Sequence, residues 1–173
     1  MRKTDCPLTL DLDRYVPALL VWVSNKLSAS ASQLYRGLFD LGVTDWRVLA
    51  YIHIYPWSTG AQVCALIGLD KAAVSRSFGF LEGRGLLRSR HSGLRKVEYT
   101  TTAKGARLYQ KVLKLAMARE RALLTGYSPG ERTALIQSLH RLLNNLAAVD
   151  AVSDAQPNGT SSKSLRRAAV FSG

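Results

Sequence analysis

The chain has 173 residues, 47% of them hydrophobic, which suits one domain, or a small domain with an appended helical region, around a real core. This composition excludes a chain that is disordered throughout. The longest apolar run, residues 16–23, is too short to span a bilayer and follows acidic residues, so it does not resemble a secretion signal. Two cysteines are too few for a disulfide framework and fit a reducing cytoplasm, which is the predicted location.

The basic charge is concentrated in one segment. The chain carries 24 Lys and Arg against 12 Asp and Glu, a net charge of +12. Residues 70–121 hold thirteen bases and four acids, a net +9, whereas residues 1–69 carry +1 and residues 122–173 carry +2. This concentration favours a surface that faces a polyanion. A solvated basic face without a partner is an alternative that charge alone leaves open.

The N-terminal part predicts a flexible arm followed by a helix. Residues 1–10 form the arm, and Asp11 or Asp13 caps a helix that runs to about Leu38 and tolerates Pro17 in its first turn. The apolar residues of this helix recur at helical spacing: Leu19, Leu20, Val23, Leu27, Leu34 and Leu38.

A second and a third helix follow. The second starts at Thr44 as its cap, and its apolar face consists of Trp46, Val48, Leu49 and Ile52. Residues 55–60 are predicted as a turn. A short helix over residues 61–67 is then stopped by Gly68.

The next segment predicts a helix and a hairpin. Asp70 caps the helix, which runs to about Arg84 and is ended by Gly85. Residues 86–90 and 96–100 are predicted strands, joined by a hairpin at 91–95. The inward face of the helix consists of Ala73, Val74, Phe78 and Leu81.

Two more helices complete the predicted structure. Thr101 or Thr102 caps a long one to about Leu124, and Ser128 caps the last, with Pro129 and Glu131 completing its start. From residue 148 the composition changes, and 148–173 is predicted to be mostly disordered, with one candidate helix at 164–170. The last main helix carries an apolar stripe that needs a neighbouring helix or a partner chain: Leu135, Leu139, Leu142, Leu143 and Leu146.

The order helix, short helix, helix and hairpin is that of a winged helix-turn-helix, so the predicted fold class is mainly α with a small β-hairpin wing. The helix at 70–84 would lie in the DNA major groove. Arg76 suits a bidentate bond to guanine, while Lys71 and Ser75 suit phosphate or an accessible base edge. Ala72 and Gly79 would allow close approach of the helix to DNA.

The hairpin supplies four further cations as candidate DNA contacts: Arg88, Arg90, Arg95 and Lys96. Arginine at a hairpin tip suits a narrow A·T minor groove, where the potential is most negative. Arg88 could instead pair with Glu82 or Glu98. Solvated turn charges are the alternative for Arg95 and Lys96.

Four stretches of the chain resemble the MarR (multiple antibiotic resistance regulator) family of bacterial repressors. They are residues 44–49, 67–76, 81–88 and 99–105, and the resemblance extends over about 11–147. It implies a DNA-binding lobe at 41–101 and a homodimer whose dimerisation region is formed by 11–40 and 102–147. It also implies a pseudo-palindromic operator and release by a small, often aromatic, effector. The family's wing usually carries Asp-x-Arg, but here Gly93 stands in place of the Asp.

The resemblance implies an effector pocket between the dimer helices and the DNA-binding lobe. Aromatic walls with one or two cations would suit an aromatic carboxylate or its thioester. Core packing of the same aromatic residues is the alternative. A redox-sensing role for Cys6 is a further alternative, and Cys64 fits a small buried thiol. The candidate pocket residues are Tyr15, Trp22, Lys26, Trp46, Arg47, Tyr51, His53 and Trp57.

Nothing in the sequence favours an enzyme. There are three histidines, no His-Glu-x-x-His, no phosphate-binding glycine loop and no assembled Ser-His-Asp set. We therefore predict a regulator without a cofactor or a metal. A non-specific architectural DNA- or RNA-binding protein remains an alternative, because the winged fold hosts both.

Overall fold

Seven helices and a three-stranded antiparallel sheet make up the part of the chain that the computed structural model describes, residues 9–93 and 96–155. The mainly helical fold with a small β wing is thus confirmed. The sheet has the order β1-β3-β2. The elements are α1 (Val16–Phe39), α2 (Val43–Ile54), β1 (Ser58–Thr59), α3 (Gly60–Ile67), α4 (Lys71–Gly83), β2 (Leu87–His91), β3 (Val97–Thr101), α5 (Ala103–Leu123), α6 (Pro129–Asn144) and α7 (Leu146–Asp154).

The chain divides into two compact units, residues 1–119 and 120–173. The first unit contains the hydrophobic core. Helices α2, α3 and α4 contribute to it, together with the C-terminal half of α1, the start of β2 and α5. The side chains with less than 2% exposure are Leu41, Val48, Leu49, Ile52, Val63, Val74, Leu81, Leu86 and Val112. The predicted inward faces of α2 and α4 therefore do pack inward.

The start of α5 packs closely against residues 85 and 86, which follow α4. Thr102 caps α5, since its Oγ1 accepts a hydrogen bond from the Gly105 N–H at 3.0 Å and donates one to the Gly85 carbonyl at 2.7 Å. A Cβ at Gly105 would lie 2.0 Å from the Leu86 carbonyl oxygen. Only glycine fits there, because the obstructing atom belongs to the backbone.

Two predicted helix starts are wrong. Neither Asp11 nor Asp13 caps α1, which begins after Tyr15 without a side-chain cap; the Asp11 carboxylate instead accepts from the Asp13 N–H. Thr44 does not cap α2, because the helix already begins at Val43 and its third residue, Asp45, accepts from the Gly42 N–H at 2.9 Å. In both cases a residue able to cap a helix lay within a few residues of the real start, and the local pattern could not separate the two positions.

Strand β1 was not predicted. Ser58 and Thr59 lie opposite Tyr99 and Glu98 of β3, inside the segment that the sequence assigned to a turn. Two residues are too short to show an alternating pattern, so only the pairing partner defines this strand.

The second unit differs from the sequence prediction at its C-terminal end. Helix α7 occupies residues 146–154, which were assigned mostly to a disordered tail. Leu146, Val149 and Val152 recur at a spacing of three, and the alanines between them favour a helix. The candidate helix at 164–170 lies outside the described residues, as do Cys6 and Arg95. Among the described helices, none combines the length and the hydrophobicity that crossing a membrane requires.

Candidate nucleic-acid interface

Helix α4 presents a polar row to solvent because its opposite face is buried. Asp70 caps the helix by accepting from the Ala73 N–H at 2.8 Å, and Val74, Phe78 and Leu81 are at most 4% exposed. These contacts fix the rotation of α4 about its axis. The exposed residues of α4 include all those predicted to face DNA: Lys71, Ala72, Ser75, Arg76 and Gly79.

A part-buried hydrogen bond that sequence reasoning missed also orients α4. The Ser77 Oγ donates to Asp45 Oδ1 at 2.7 Å, and the other Asp45 oxygen accepts from Gly42 N–H. One carboxylate therefore holds the start of α2 and the inner face of α4 together. Asp45 and Ser77 are 32 positions apart, so no local pattern could have linked them.

Two cations of the wing, Arg90 and Lys96, pair with one buried carboxylate. Arg90 forms two hydrogen bonds to Glu98 Oε2, at 3.0 and 2.9 Å, and Lys96 Nζ lies 2.8 Å from Glu98 Oε1. The Arg90 guanidinium stacks on the Trp57 ring, 4.0 Å from its centroid. We call Trp57, Arg90, Lys96 and Glu98 the wing clamp. Glu98 thus supplies to Arg90 an orienting carboxylate, in a wing where Gly93 replaces the expected Asp.

Arg88 does not form the ion pair that was considered for it. Its guanidinium lies over the Trp57 ring at 5.3 Å, Arg90 takes Glu98, and the Glu82 carboxylate accepts from the Ser89 hydroxyl. Residues 88 and 90 point to the same face of β2, so both arginines meet the one indole. Trp57 was predicted as an effector residue, and its position beneath two wing arginines was missed.

Trp57 has a backbone conformation that non-glycine residues rarely adopt. Its φ is +61°, in the left-handed region, which costs about 1–2 kcal/mol for an L-residue. The stacking with Arg90 and Arg88 offsets this cost, since cation–π contacts contribute about 0.5–1 kcal/mol each at exposed sites. The strained position brings the indole from the α2–α3 connection under the wing.

Acid should loosen the wing clamp. Hydrogen bonds from Lys96 and then from Arg90 hold the pKa of Glu98 below its ordinary value. Since the folded-state pKa is the lower one, the stabilisation is complete above the ordinary glutamate pKa and is lost as the pH falls through the lowered value. An NMR acid titration should show the Trp57 Nε1–H and Arg90 Nε–H signals shifting together, below the pH at which ordinary glutamates titrate.

The matched control for this titration is Glu98→Gln, which keeps the shape of the side chain but has no titrating carboxyl. Its Trp57 and Arg90 signals should not move over the same pH range. A Trp57 transition at the ordinary glutamate pKa in the unaltered protein would contradict the clamp.

The predicted effector residues have mostly structural partners. Trp46 stacks on Tyr109 at 5.5 Å, His53 stacks on the same ring at 4.0 Å, and Arg47 donates to Ser28 Oγ at 2.9 Å. This arrangement matches the core-packing alternative for Trp46 and His53. Tyr51 packs against Tyr55.

The α1 members of the predicted effector set are exposed: Tyr15, Trp22 and Lys26. In residues 9–93 and 96–155, no hydrogen bond, ion pair or ring contact joins any of them to the Trp46–His53–Tyr109 cluster. The described chain by itself therefore does not assemble the predicted effector site.

Several solved structures share the fold of this chain. The chain is 28% identical to a MarR/EmrR family transcriptional regulator from Acinetobacter sp. ADP1, with a TM-score of 0.75 over 80% of this chain and 99% of that one. BpsR of Bordetella bronchiseptica, described as regulated in DNA binding by 6-hydroxynicotinic acid, is 23% identical, with a TM-score of 0.67 over 79% and 99% of the two chains. FabT of Streptococcus pneumoniae, solved in complex with DNA, is 21% identical, with a TM-score of 0.64 over 80% and 99%. No family model and no curated protein matches the sequence.

Proposed function

We propose that this chain, a winged-helix transcriptional regulator of the MarR family, is a homodimeric repressor that binds a pseudo-palindromic operator. It would leave the operator when a small effector binds. The observation that carries the proposal is the exposed row of α4, held by a buried opposite face beside a cationic wing. We infer that it acts in the bacterial cytoplasm, at the nucleoid, and catalyses no reaction.

Base recognition is assigned to α4 and phosphate contact to its flanks. Arg76 lies in the second turn of α4 and is exposed, so its planar guanidinium can reach the two acceptors of a guanine in the major groove. Lys71 and Ser75 lie on the same exposed face and would contact phosphates or a base edge. Ala72 and Gly79 carry no bulk that would hold the helix away.

The wing clamp would position two more cations against the DNA backbone or the minor groove. Arg90 and Lys96 share the single carboxylate of Glu98. Arg88 forms no ion pair with any described residue, so no neighbouring acid offsets its charge. Rigid placement by Trp57 and Glu98 lowers the entropy lost when these side chains meet DNA. Arg95 remains a predicted contact.

Dimerisation would cover apolar faces that the single chain leaves in water. On α1, Leu19 and Leu20 are 38% and 42% exposed, and α6 contains no buried residue at all. An apolar surface of this kind on two helices is typical of a protein–protein interface. Two copies would present two α4 helices to the two halves of a palindrome.

Arg76→Ala tests base recognition. We expect it to weaken binding to the specific operator by about 1–3 kcal/mol and to relax the preference at one base pair. Fluorescence anisotropy against the operator, single-base variants of it and a random duplex would measure both effects at one salt concentration. Arg107→Ala, which removes the same charge from an exposed position of α5, should change operator affinity much less.

Equal losses on the operator and on the random duplex would make Arg76 a phosphate contact and would favour the second candidate function, a non-specific architectural binder. One observation argues against RNA in that second role. Of the aromatic residues in the basic segment, Phe78 and Tyr99 stack on each other at 3.9 Å and Tyr109 is buried, which leaves Phe80 as an exposed ring. Single-stranded RNA binding usually needs several such rings.

A further inference from the structure

The excess of basic charge in residues 70–121 lies only partly on the elements proposed to contact the operator. Residues 70–102, which contain α4 and the wing, hold seven bases and three acids, a net +4. Residues 103–121, all in α5, hold six bases and one acid, a net +5. The contacts proposed for α4 and the wing therefore leave more than half of this excess without a role.

Three cations of α5 form an exposed stripe on one side of the helix. Arg107, Lys111 and Lys114 follow one another by four and by three positions, which places them on one face, and all three are exposed. We call these three residues the α5 stripe. Because the opposite face is fixed in the core, the stripe cannot turn inward. The buried residues of that opposite face are Gly105, Tyr109 and Val112.

The charge of the α5 stripe is not offset within the described part of the chain. No side chain of the stripe forms a hydrogen bond or an ion pair with any residue in 9–93 or 96–155. Two other cations of α5 are already engaged. Lys104 donates to the Arg84 carbonyl at 2.7 Å, and Arg119 donates to Ser30 Oγ at 3.2 Å. The stripe is therefore the part of α5 whose charge is available to an external anion.

The surroundings of the α5 stripe favour a DNA backbone over a protein or a membrane. Protein interfaces are enriched in aromatic residues and depleted of lysine, and a helix that lies on a membrane inserts an apolar face. The apolar face of α5 is already in the core, whereas arginine, lysine and glutamine are common phosphate contacts. The exposed residues of α5 up to position 114 include no large apolar side chain: Ala103, Lys104, Arg107, Gln110, Lys111 and Lys114.

The spacing of the α5 stripe suits a duplex of any sequence. Positions 107 and 114 are about 10 Å apart along the helix axis, at a rise of about 1.5 Å per residue. A DNA duplex carries one negative charge per about 1.7 Å, so this length spans about six phosphate charges. Each cation of the stripe can therefore reach a phosphate without a particular base sequence.

Helix α2 separates the α5 stripe from the exposed row of α4. Asp45 of α2 accepts a hydrogen bond from Ser77 of α4 at 2.7 Å. Another side of α2 carries Trp46 and His53, whose rings stack on Tyr109 of α5 at 5.5 and 4.0 Å. The exposed faces of α4 and α5 therefore point away from α2 in different directions, and a straight duplex on α4 does not cover the stripe.

We propose that the α5 stripe binds the phosphate backbone of a second DNA duplex without sequence preference, so that the protein holds two DNA segments at once. The holding of the first segment rests on the proposed function, but the affinity of the stripe for a duplex does not. In the proposed dimer, two stripes that faced each other would repel. The stripe therefore lies outside the dimer interface and stays accessible.

A capture assay with the full chain tests this second contact. A short operator duplex on beads holds the protein, a fluorescently labelled random duplex is added, and the retained label is measured. The unaltered protein should retain the label. The stripe variant, which combines Arg107→Gln, Lys111→Gln and Lys114→Gln, should retain at least about tenfold less, because three phosphate contacts are lost. In fluorescence anisotropy it should bind the short operator duplex as the unaltered protein does.

The salt dependence gives a second measurement. The logarithm of the association constant for the random duplex falls linearly with the logarithm of the salt concentration, by about 0.9 for each phosphate contact. In protein saturated with the short operator duplex, this slope should be shallower by about 2.7 in the stripe variant. Circular dichroism and thermal unfolding would verify that the variant is folded.

The matched control removes the same charge from exposed positions outside α5, by Arg14→Gln, Arg36→Gln and Arg141→Gln. It should retain the labelled duplex. Equal loss of label in the two variants would make total charge responsible and would overturn the proposal. Full retention by the stripe variant would overturn it too, as would a stripe variant that loses binding to phosphatidylglycerol vesicles but not to the labelled duplex.

The failure of this inference can be distinguished from the failure of the proposed function. If the protein prefers no DNA sequence, but the salt slope on a random duplex becomes shallower only in the stripe variant, the proposed function fails and the second contact stands. If binding to the operator is specific and the labelled duplex is never retained, the second contact fails and the proposed function stands.

Discussion

Replacing Leu142 and Leu143 together by glutamate is expected to convert a dimer into monomers and to weaken operator binding by at least about 100-fold, the usual loss when two linked binding events become separate ones. Leu142 is 39% exposed and Leu143 62% exposed in the single chain. Burial of a leucine contributes about 1.5–3 kcal/mol. Because each change occurs in both copies, four leucines would be lost from the interface and four charges placed in it.

Sedimentation velocity measures the oligomeric state, and fluorescence anisotropy on the operator measures the affinity. The matched control is Gln137→Glu with Asn144→Glu, which adds the same charge to the opposite face of α6. The control should remain dimeric. A monomeric unaltered protein, or a double glutamate variant that still forms dimers, would refute the proposed interface. Helical content by circular dichroism should match between the two variants.

Gly105→Ala is expected to lower the free energy of unfolding by about 3 kcal/mol or more, at the top of the range for an overpacked core. The added Cβ would lie 2.0 Å from the Leu86 carbonyl oxygen, a distance that no side-chain rotation can relieve. Relief requires moving α5 away from the start of the wing, which breaks the Thr102 hydrogen bonds to Gly85 and Gly105. Urea unfolding followed by circular dichroism gives the value.

The control for this prediction is Gly37→Ala in α1, where a Cβ meets no atom within 4 Å. There the change should stabilise the protein by up to about 1 kcal/mol, because alanine favours a helix over glycine. Opposite changes in the free energy of unfolding at the two positions would show that the close approach to the Leu86 carbonyl, and not helix propensity, determines the effect of the substitution at Gly105. A Gly105→Ala variant as stable as the unaltered protein would contradict the packing described for α5.

Helix α4 was predicted well because its signals are local. The Asp70 cap, the stop at Gly85 and the period of Val74, Phe78 and Leu81 lie within one helix, and each follows from backbone geometry. The Ser128 start of α6 was predicted for the same reason, since a capping box needs only two residues three positions apart. The exposed row of α4 follows as the complement of its buried face.

The wing clamp could not be predicted in the same way. Trp57 comes from the α2–α3 connection and Glu98 from β3, and they meet around Arg90 because β1 pairs with β3. The sequence offered an acid in a basic segment, Glu98, which was considered only as a partner of Arg88. The predicted strands, 86–90 and 96–100, pair Arg88 with Glu98, whereas the register of the structure pairs Arg90 with Glu98 and Arg88 with Thr100.

By itself, the sequence determined the winged helix-turn-helix, the exposed row of α4 and the basic segment around it, because caps, periodicity and charge act over a few residues. The tertiary structure alone decided which cation pairs with Glu98 and which aromatic residues become core partners of Tyr109. Those outcomes depend on contacts between residues far apart in the chain, where several partners of similar chemistry compete and only their distances select one.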